Sequence, residues 1–176
     1  MYFLLEPFTS IRDFLYTGGQ VLWVILLITI VLWTLIIERY WYMGKIFPAY
    51  VESLSKKWQA REIKNDWYAH KIREYYVAEV KFELNRNLGM IKTIIALCPL
   101  LGLLGTVTGI IHVFDVMAAF GTGNARAMAS GVYMATIPTM AGLVSALSGF
   151  YFSARLSHRA SLERERFNDL LRFYED

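Results

Sequence analysis

Three stretches of the chain run apolar for seventeen residues or more, and between them charges alternate with apolar side chains at helical spacing. The first stretch, Val21 to Ile37, reads VLWVILLITIVLWTLII without an ionisable group. The second, Thr93 to Phe114, is interrupted by His112, and the third, Gly131 to Ala154, holds no charge. A spanning helix needs roughly 20 apolar residues, with a lower limit near 17, so the pattern predicts three membrane helices. Trp23, Trp33, Tyr40, Trp41 and Tyr42 bracket the first span as interfacial aromatics do.

The polar segments read as helices too. From Asp66 onward Tyr68, Ile72, Tyr76, Val80, Leu84 and Leu88 recur every fourth residue with charges between them. That stripe runs into the second span without a strong breaker, since Gly89 is tolerated, which predicts one helix from Asp66 to Phe114, about 73 Å long. Leu156, Ala160, Phe167, Leu171 and Tyr174 continue a stripe beyond the third span. The opening MYFLLEPFTSIRDFLY, with Glu6, Arg12 and Asp13 on its polar side, reads as an amphipathic helix on the outer membrane surface. The expected fold is therefore all-α. An N-terminal helix over 1–19 precedes a first span over 20–38 and a helical cytoplasmic loop over 39–92. A second span over 93–114, an outer link over 115–130, a third span over 131–154 and a cytoplasmic helix over 155–176 complete it. Spans two and three extend as long helices into the cytoplasm, and helices with one apolar stripe each call for oligomerisation.

Composition agrees. Of the 176 residues 56% are hydrophobic and 19% charged, against about a quarter charged in a soluble domain. The net charge of +3 matters less than its placement. Eleven of the eighteen Lys and Arg fall between Arg39 and Lys92 and five from Arg155 onward; Arg12 and Arg126 are the remaining two. Under the positive-inside rule the N-terminus and the 115–130 link lie outside, and the large loop and C-terminus lie in the cytoplasm. No cleavable leader is expected, because Glu38-Arg39 rather than a small-residue site follows the first span.

Little classical chemistry is present. A single cysteine, Cys98, three scattered histidines and no cofactor loop disfavour an enzyme, a zinc site and a disulfide framework alike. No cofactor and no nucleic-acid partner is expected. Gly102, Gly105 and Gly109 in the second span, and Gly142 and Gly149 in the third, offer small faces for close helix packing. Pro99 and Pro138 each remove a backbone donor within a span and read as kinks. Thr106, Thr108, Thr136, Thr139, Ser145 and Ser148 would make a mildly polar lining if they share a face; singly, each can satisfy itself on its own helix. His112, within three residues of Asp115, reads first as an interfacial histidine bonded to Asp115 or water, and alternatively as an outer-end proton site. Glu38, Arg39, Lys56, Lys57, Arg155 and Arg159 read as headgroup anchors for membrane lipids.

One run is specific. PLLGLLGTVTGI at 99–110, followed by a short link and GVYMATIPTMAGLVSAL at 131–147, resembles the MotA/TolQ/ExbB proton-channel family, and the resemblance covers nearly the whole chain. It implies an ExbB-type subunit of the inner membrane, N-terminus periplasmic, whose homopentamer holds the helices of a single-span ExbD-like partner. Such a complex uses proton flow to drive a TonB-like protein and so energises uptake across the outer membrane. A TolQ-type subunit of an envelope machine is the alternative within the family, and a passive membrane scaffold the alternative outside it. By position the resemblance makes Thr106 and Thr139 the pore threonines. It also marks a departure: Met134 stands where family members often carry a glutamate. With no acid in either span, the resemblance implies that the partner brings the proton-carrying carboxylate.

Overall fold

The computed structural model describes residues 18–60, 66–121 and 125–171. Of the surface helix expected over 1–19, residues 1–17 lie outside them, as does Tyr174. Helix α1, Gly19–Trp41, passes through a π-helical turn, Tyr42–Ile46, into α2, Phe47–Gln59. Helices α3, Trp67–Asn85, α4, Leu88–Phe120, and α5, Ala125–Leu170, complete the chain, and no strand occurs among the described residues. Among the described residues three stretches of helix are long and apolar enough to cross a membrane. The fold is all-α and built around those three stretches.

The chain divides into two compact units, one of residues 1–33 and 93–150, the other of residues 34–92 and 151–176. The first is small inside and large outside. Its buried positions include Cys98, Ala135 and Ala146 beside Leu22, Ile25 and Leu32, whereas Leu27, Ile30, Leu100, Phe114, Val144 and Leu147 stand exposed. Helices that associate without a hydrophobic driving force pack through small residues and turn bulky ones to lipid. A hydroxyl ladder adds to this packing: Thr29 donates to the Ile25 carbonyl at 2.7 Å and lies 2.9 Å from the Ser145 hydroxyl.

The second unit is packed like a water-soluble bundle. Phe47, Leu54, Trp58, Val80, Leu84, Leu88, Leu156, Ala160, Phe167 and Leu171 are all buried within it. Of the expected stripe beyond the third span, Leu156, Ala160 and Phe167 lie on the buried face of α5, and Leu171 is buried just past its end. The stripe of α3 holds only in part, since Val80 and Leu84 are buried while Tyr68 is 65% exposed and Ala69 takes the inner position. A four-residue repeat on a 3.6-residue helix rotates by about 40° per step, so three steps carry Tyr68 off the face that Val80 occupies. Asp66 caps the start of α3, accepting from the Trp67 N–H at 2.7 Å. Arg73 ties α3 to the end of α5, donating to the Leu171 carbonyl at 2.9 Å and to Asn168 Oδ1 at 2.7 Å.

Two expectations are corrected here. The helix expected over 66–114 is broken: Arg86 has ψ 135° and Asn87 a φ of +62°. Asparagine tolerates that left-handed conformation better than most side chains, and Gly89 sits within α4. Arg39 is not a headgroup anchor. It is 1% exposed, inside the second unit.

A pH dependence follows from Tyr50. Burial first, and then a hydrogen bond to Glu79, push its phenol well above the ordinary tyrosine range. The folded protein therefore keeps that proton at a pH where the unfolded chain, titrating at about 10, has lost it. The stability linked to Tyr50 is complete below that pH and falls as pH rises above it. A Tyr50→Phe variant should lose less stability between pH 9 and 11 than the parent, measured by thermal unfolding in detergent; parallel curves would contradict this.

Candidate functional site

The site residues converge in the first unit, on a seam between α4 and α5. Three glycines of α4 sit one helical turn apart, and each meets backbone or ring rather than a side-chain tip. A Cβ on Gly102 would lie 3.0 Å from Thr139 Cα, one on Gly105 would overlap the Pro138 ring, with Cγ at 2.8 Å, and one on Gly109 would lie 2.6 Å from Ala135 Cα. From the other side, a Cβ on Gly142 would lie 2.5 Å from the Cys98 carbonyl oxygen, and one on Gly149 would meet Leu32 and Ile95. Pro138 is thus a packing partner of Gly105 as well as a missing donor in α5. Pro99 likewise lies inside α4.

This close approach lets Thr139 reach across. Its hydroxyl donates to the Gly102 carbonyl of α4 at 3.0 Å. Thr106 instead donates within its own helix, to the Leu103 carbonyl at 2.7 Å. Thr108, Thr136 and Ser148 do the same toward the carbonyls three residues back. The structure therefore brings Thr139 to Gly102 and leaves Thr106, Thr108, Thr136 and Ser148 bonded within their own helices. A hydroxyl has one proton to give and two lone pairs. With their protons committed to carbonyls, Thr106 and Thr139 can accept from water or from a protonated carboxylic acid.

A cavity of about 350 Å³ opens in the same unit, lined by Gly18, Gly19, Gln20, Val21, Gly105, Thr108, Gly109, His112 and Met134. It joins two residues singled out separately in the sequence, His112 and Met134. Ion pairs among the described residues include Glu52–Lys56, Lys71–Glu74, Glu83–Arg86 and Glu163–Arg166.

The basic residues expected at the headgroups, other than Arg39, also lie in the second unit. Lys56, Lys57, Arg155 and Arg159 are exposed, with Lys56 held by Glu52 at 2.7 Å. Among the described residues no group of three or more His, Cys, Asp or Glu side chains could hold a metal ion. Sequence reasoning passed over Thr29, whose bond to Ser145 crosses between helices, and it misread Arg39. Pairing partners far apart in sequence leave no periodic signal; Arg39 carries only the oddity of a charge within an aromatic run, Glu-Arg-Tyr-Trp-Tyr.

Residues 43–169 match the MotA/TolQ/ExbB proton channel family. The chain belongs to that family. A putative biopolymer transport protein, ExbB-like 1, from Synechocystis is 32% identical over 180 aligned positions, covering 82% of this chain and 69% of the relative. A putative biopolymer transport protein ExbB homolog from Methanothermobacter thermautotrophicus is 42% identical over 64 residues, 36% of this chain and 22% of the relative. The biopolymer transport protein ExbB of Salmonella typhimurium is 39% identical over 74 residues, 42% of this chain and 30% of its own length. No solved structure matches the chain significantly. Family membership and the three long apolar helices make this a multi-pass membrane protein of a channel family rather than of an enzyme family.

Proposed function

We propose that the chain is the ExbB-type subunit of an inner-membrane proton channel, lying with its N-terminus in the periplasm and its C-terminus in the cytoplasm. Five copies surround the membrane helices of an ExbD-like single-span protein, and proton flow through the complex works on a TonB-like protein to energise transport across the outer membrane. The observation that supports this best is the glycine seam in the family-matched region. It brings α4 and α5 to backbone contact and presents a threonine on each helix, with lone pairs available and no charge nearby.

In this reading Thr106 and Thr139 line the proton path. The second and third spans read from the sequence hold no acid, and an intramembrane carboxylate is the usual proton relay. The partner's aspartate therefore carries the proton, and the threonines accept a hydrogen bond from its protonated form or order the water that feeds it. Each crossing proton gains about 2.3 kcal/mol per 100 mV of membrane potential. His112, in the cavity it shares with Met134, would receive protons at the outer end, and Lys56, Lys57, Arg155 and Arg159 would meet lipid headgroups.

The test is proton flux into liposomes holding the chain with its single-span partner under an imposed potential. Flux that needs both proteins supports the proposal; a flux-free complex returns the chain to the scaffold reading. Met134→Glu should leave the flux within about twofold, because the partner's carboxylate suffices. A several-fold rise would show that the chain's own missing acid limits transfer. A TolQ-type role remains the second reading within the family, separable by whether deletion abolishes outer-membrane uptake or instead impairs envelope constriction.

A further inference from the structure

Glu38 and Arg39, adjacent near the end of α1, both reach the break between α3 and α4. The Arg39 guanidinium donates through Nη2 to the Glu83 carbonyl, its carbon lies 4.8 Å from the centre of the Tyr42 ring, and the Tyr42 hydroxyl meets Glu83 Oε2 at 3.2 Å. Glu38 Oε2 accepts from Asn87 Nδ2 at 3.4 Å. All of these groups lie within the second unit.

The break explains why the Glu83 carbonyl needs a donor. In a continuous helix the Asn87 N–H would bond to it, as the Arg86 N–H bonds to Phe82 at 2.9 Å. The extended ψ of Arg86, 135°, turns the Asn87 N–H away, and a new helix starts with Ile91 bonding to the Asn87 carbonyl at 3.0 Å. Glu83 is thereby one of the last four carbonyls of α3, left without an intrahelical partner. Arg39 fills that vacancy and places a cation at the negative end of α3.

Arg39 is an expensive residue for a routine cap. It is 1% exposed, and its Nε has no hydrogen-bond partner. A buried cation is tolerated in proportion to the bonds it makes. If α3 and α4 fused into one helix, the Asn87 N–H would compete for the Glu83 carbonyl, and an under-satisfied guanidinium would lose bonding it cannot replace. Fusion would also pull Asn87 from the Glu38 carboxylate. The buried charge and its exposed neighbour therefore oppose the same rearrangement.

We propose that Glu38 and Arg39 are a clamp that holds the α3–α4 break open, and so sets the residue at which α4, the helix carrying Thr106, begins. They are positioning residues. The functional consequence rests on the proposed proton path through Thr106, whereas the clamp itself can be read without it. The full chain with its partner, labelled with ¹³C-asparagine in lipid nanodiscs, reports the conformation of Asn87 through its Cα and Cβ shifts, and hydrogen exchange reports its amide. In Arg39→Met the Asn87 shifts should move from left-handed to helical values, and amide protection at Asn87 should rise at least tenfold. Arg39→Lys, which keeps the charge, should retain the left-handed shifts. Glu38→Ala alters an exposed side chain and serves if Arg39→Met fails to fold; it should raise the Asn87 amide protection about threefold. Left-handed Asn87 shifts with an unprotected amide in Arg39→Met, or unchanged exchange in Glu38→Ala, would overturn the clamp. Absence of proton flux in the parent complex would overturn the proton path and leave the clamp's own readout intact.

Discussion

Replacing Gly109 with leucine should abolish the folded first unit and with it every activity of the complex. A Cβ there lies 2.6 Å from Ala135 Cα and 2.9 Å from its backbone nitrogen, so no rotamer change relieves the overlap and α4 must move off α5. Overpacking of a tight site costs about 1–3 kcal/mol and occasionally more, and here the displaced partner is main chain. Gly109→Ala should show the same defect in smaller measure, and Ala135→Gly in the same chain should recover only part of it, since it removes the Ala135 Cβ at 2.3 Å but leaves the Cα at 2.6 Å. Recovery of detergent stability in the double variant is the signature of the contact. A fully stable Gly109→Leu protein would remove the seam. Gly89 is the control, because a Cβ there meets nothing within 4 Å. Gly89→Ala, inside α4, should stabilise the protein by about 0.5–1 kcal/mol.

The second large effect belongs to the threonines. Thr139→Val and Thr106→Val should each lower partner-dependent proton flux by at least tenfold while the complex still assembles. The two should differ in stability. Thr139→Val leaves the Gly102 carbonyl without its cross-helix donor, a loss of about 0.6–2 kcal/mol for an interhelical bond in a membrane. Thr106→Val removes a bond to its own helix at Leu103, so its melting temperature should stay near that of the parent. Serine at either position keeps the hydroxyl and should restore flux. Full flux in both valine variants would remove the threonine-lined path.

The parts of the fold written in side-chain periodicity were legible in advance. Three apolar runs announced three long helices, and Leu156, Ala160, Phe167 and Leu171 announced a face of α5 that is buried. The glycine spacing announced close packing, but not that Gly105 would face a proline ring and Gly142 a carbonyl, since register between distant helices is decided by three-dimensional fit. The α3–α4 break was missed because a single left-handed residue interrupts no hydrophobic pattern. Asn85-Arg86-Asn87 held the only hint, a pair of asparagines where the stripe should have been strongest. Arg39 was misread for a related reason: the rule that assigns basic residues to the headgroups counts charges and cannot see that Glu83 offers one of them a carbonyl.

The site was legible to a similar depth. Thr139 and Gly102 were both singled out, and they meet; Thr106 and Thr139 were paired by resemblance, and within the chain they bond to different carbonyls. In the proposed function it is the partner helix, lying against both, that joins the two in one path. The account is therefore tested most directly by the native mass of the complex purified through this chain after co-expression with its genomic neighbours. Five copies with a small single-span protein carrying one membrane aspartate is the predicted result. A monomer or dimer without such a partner would contradict it.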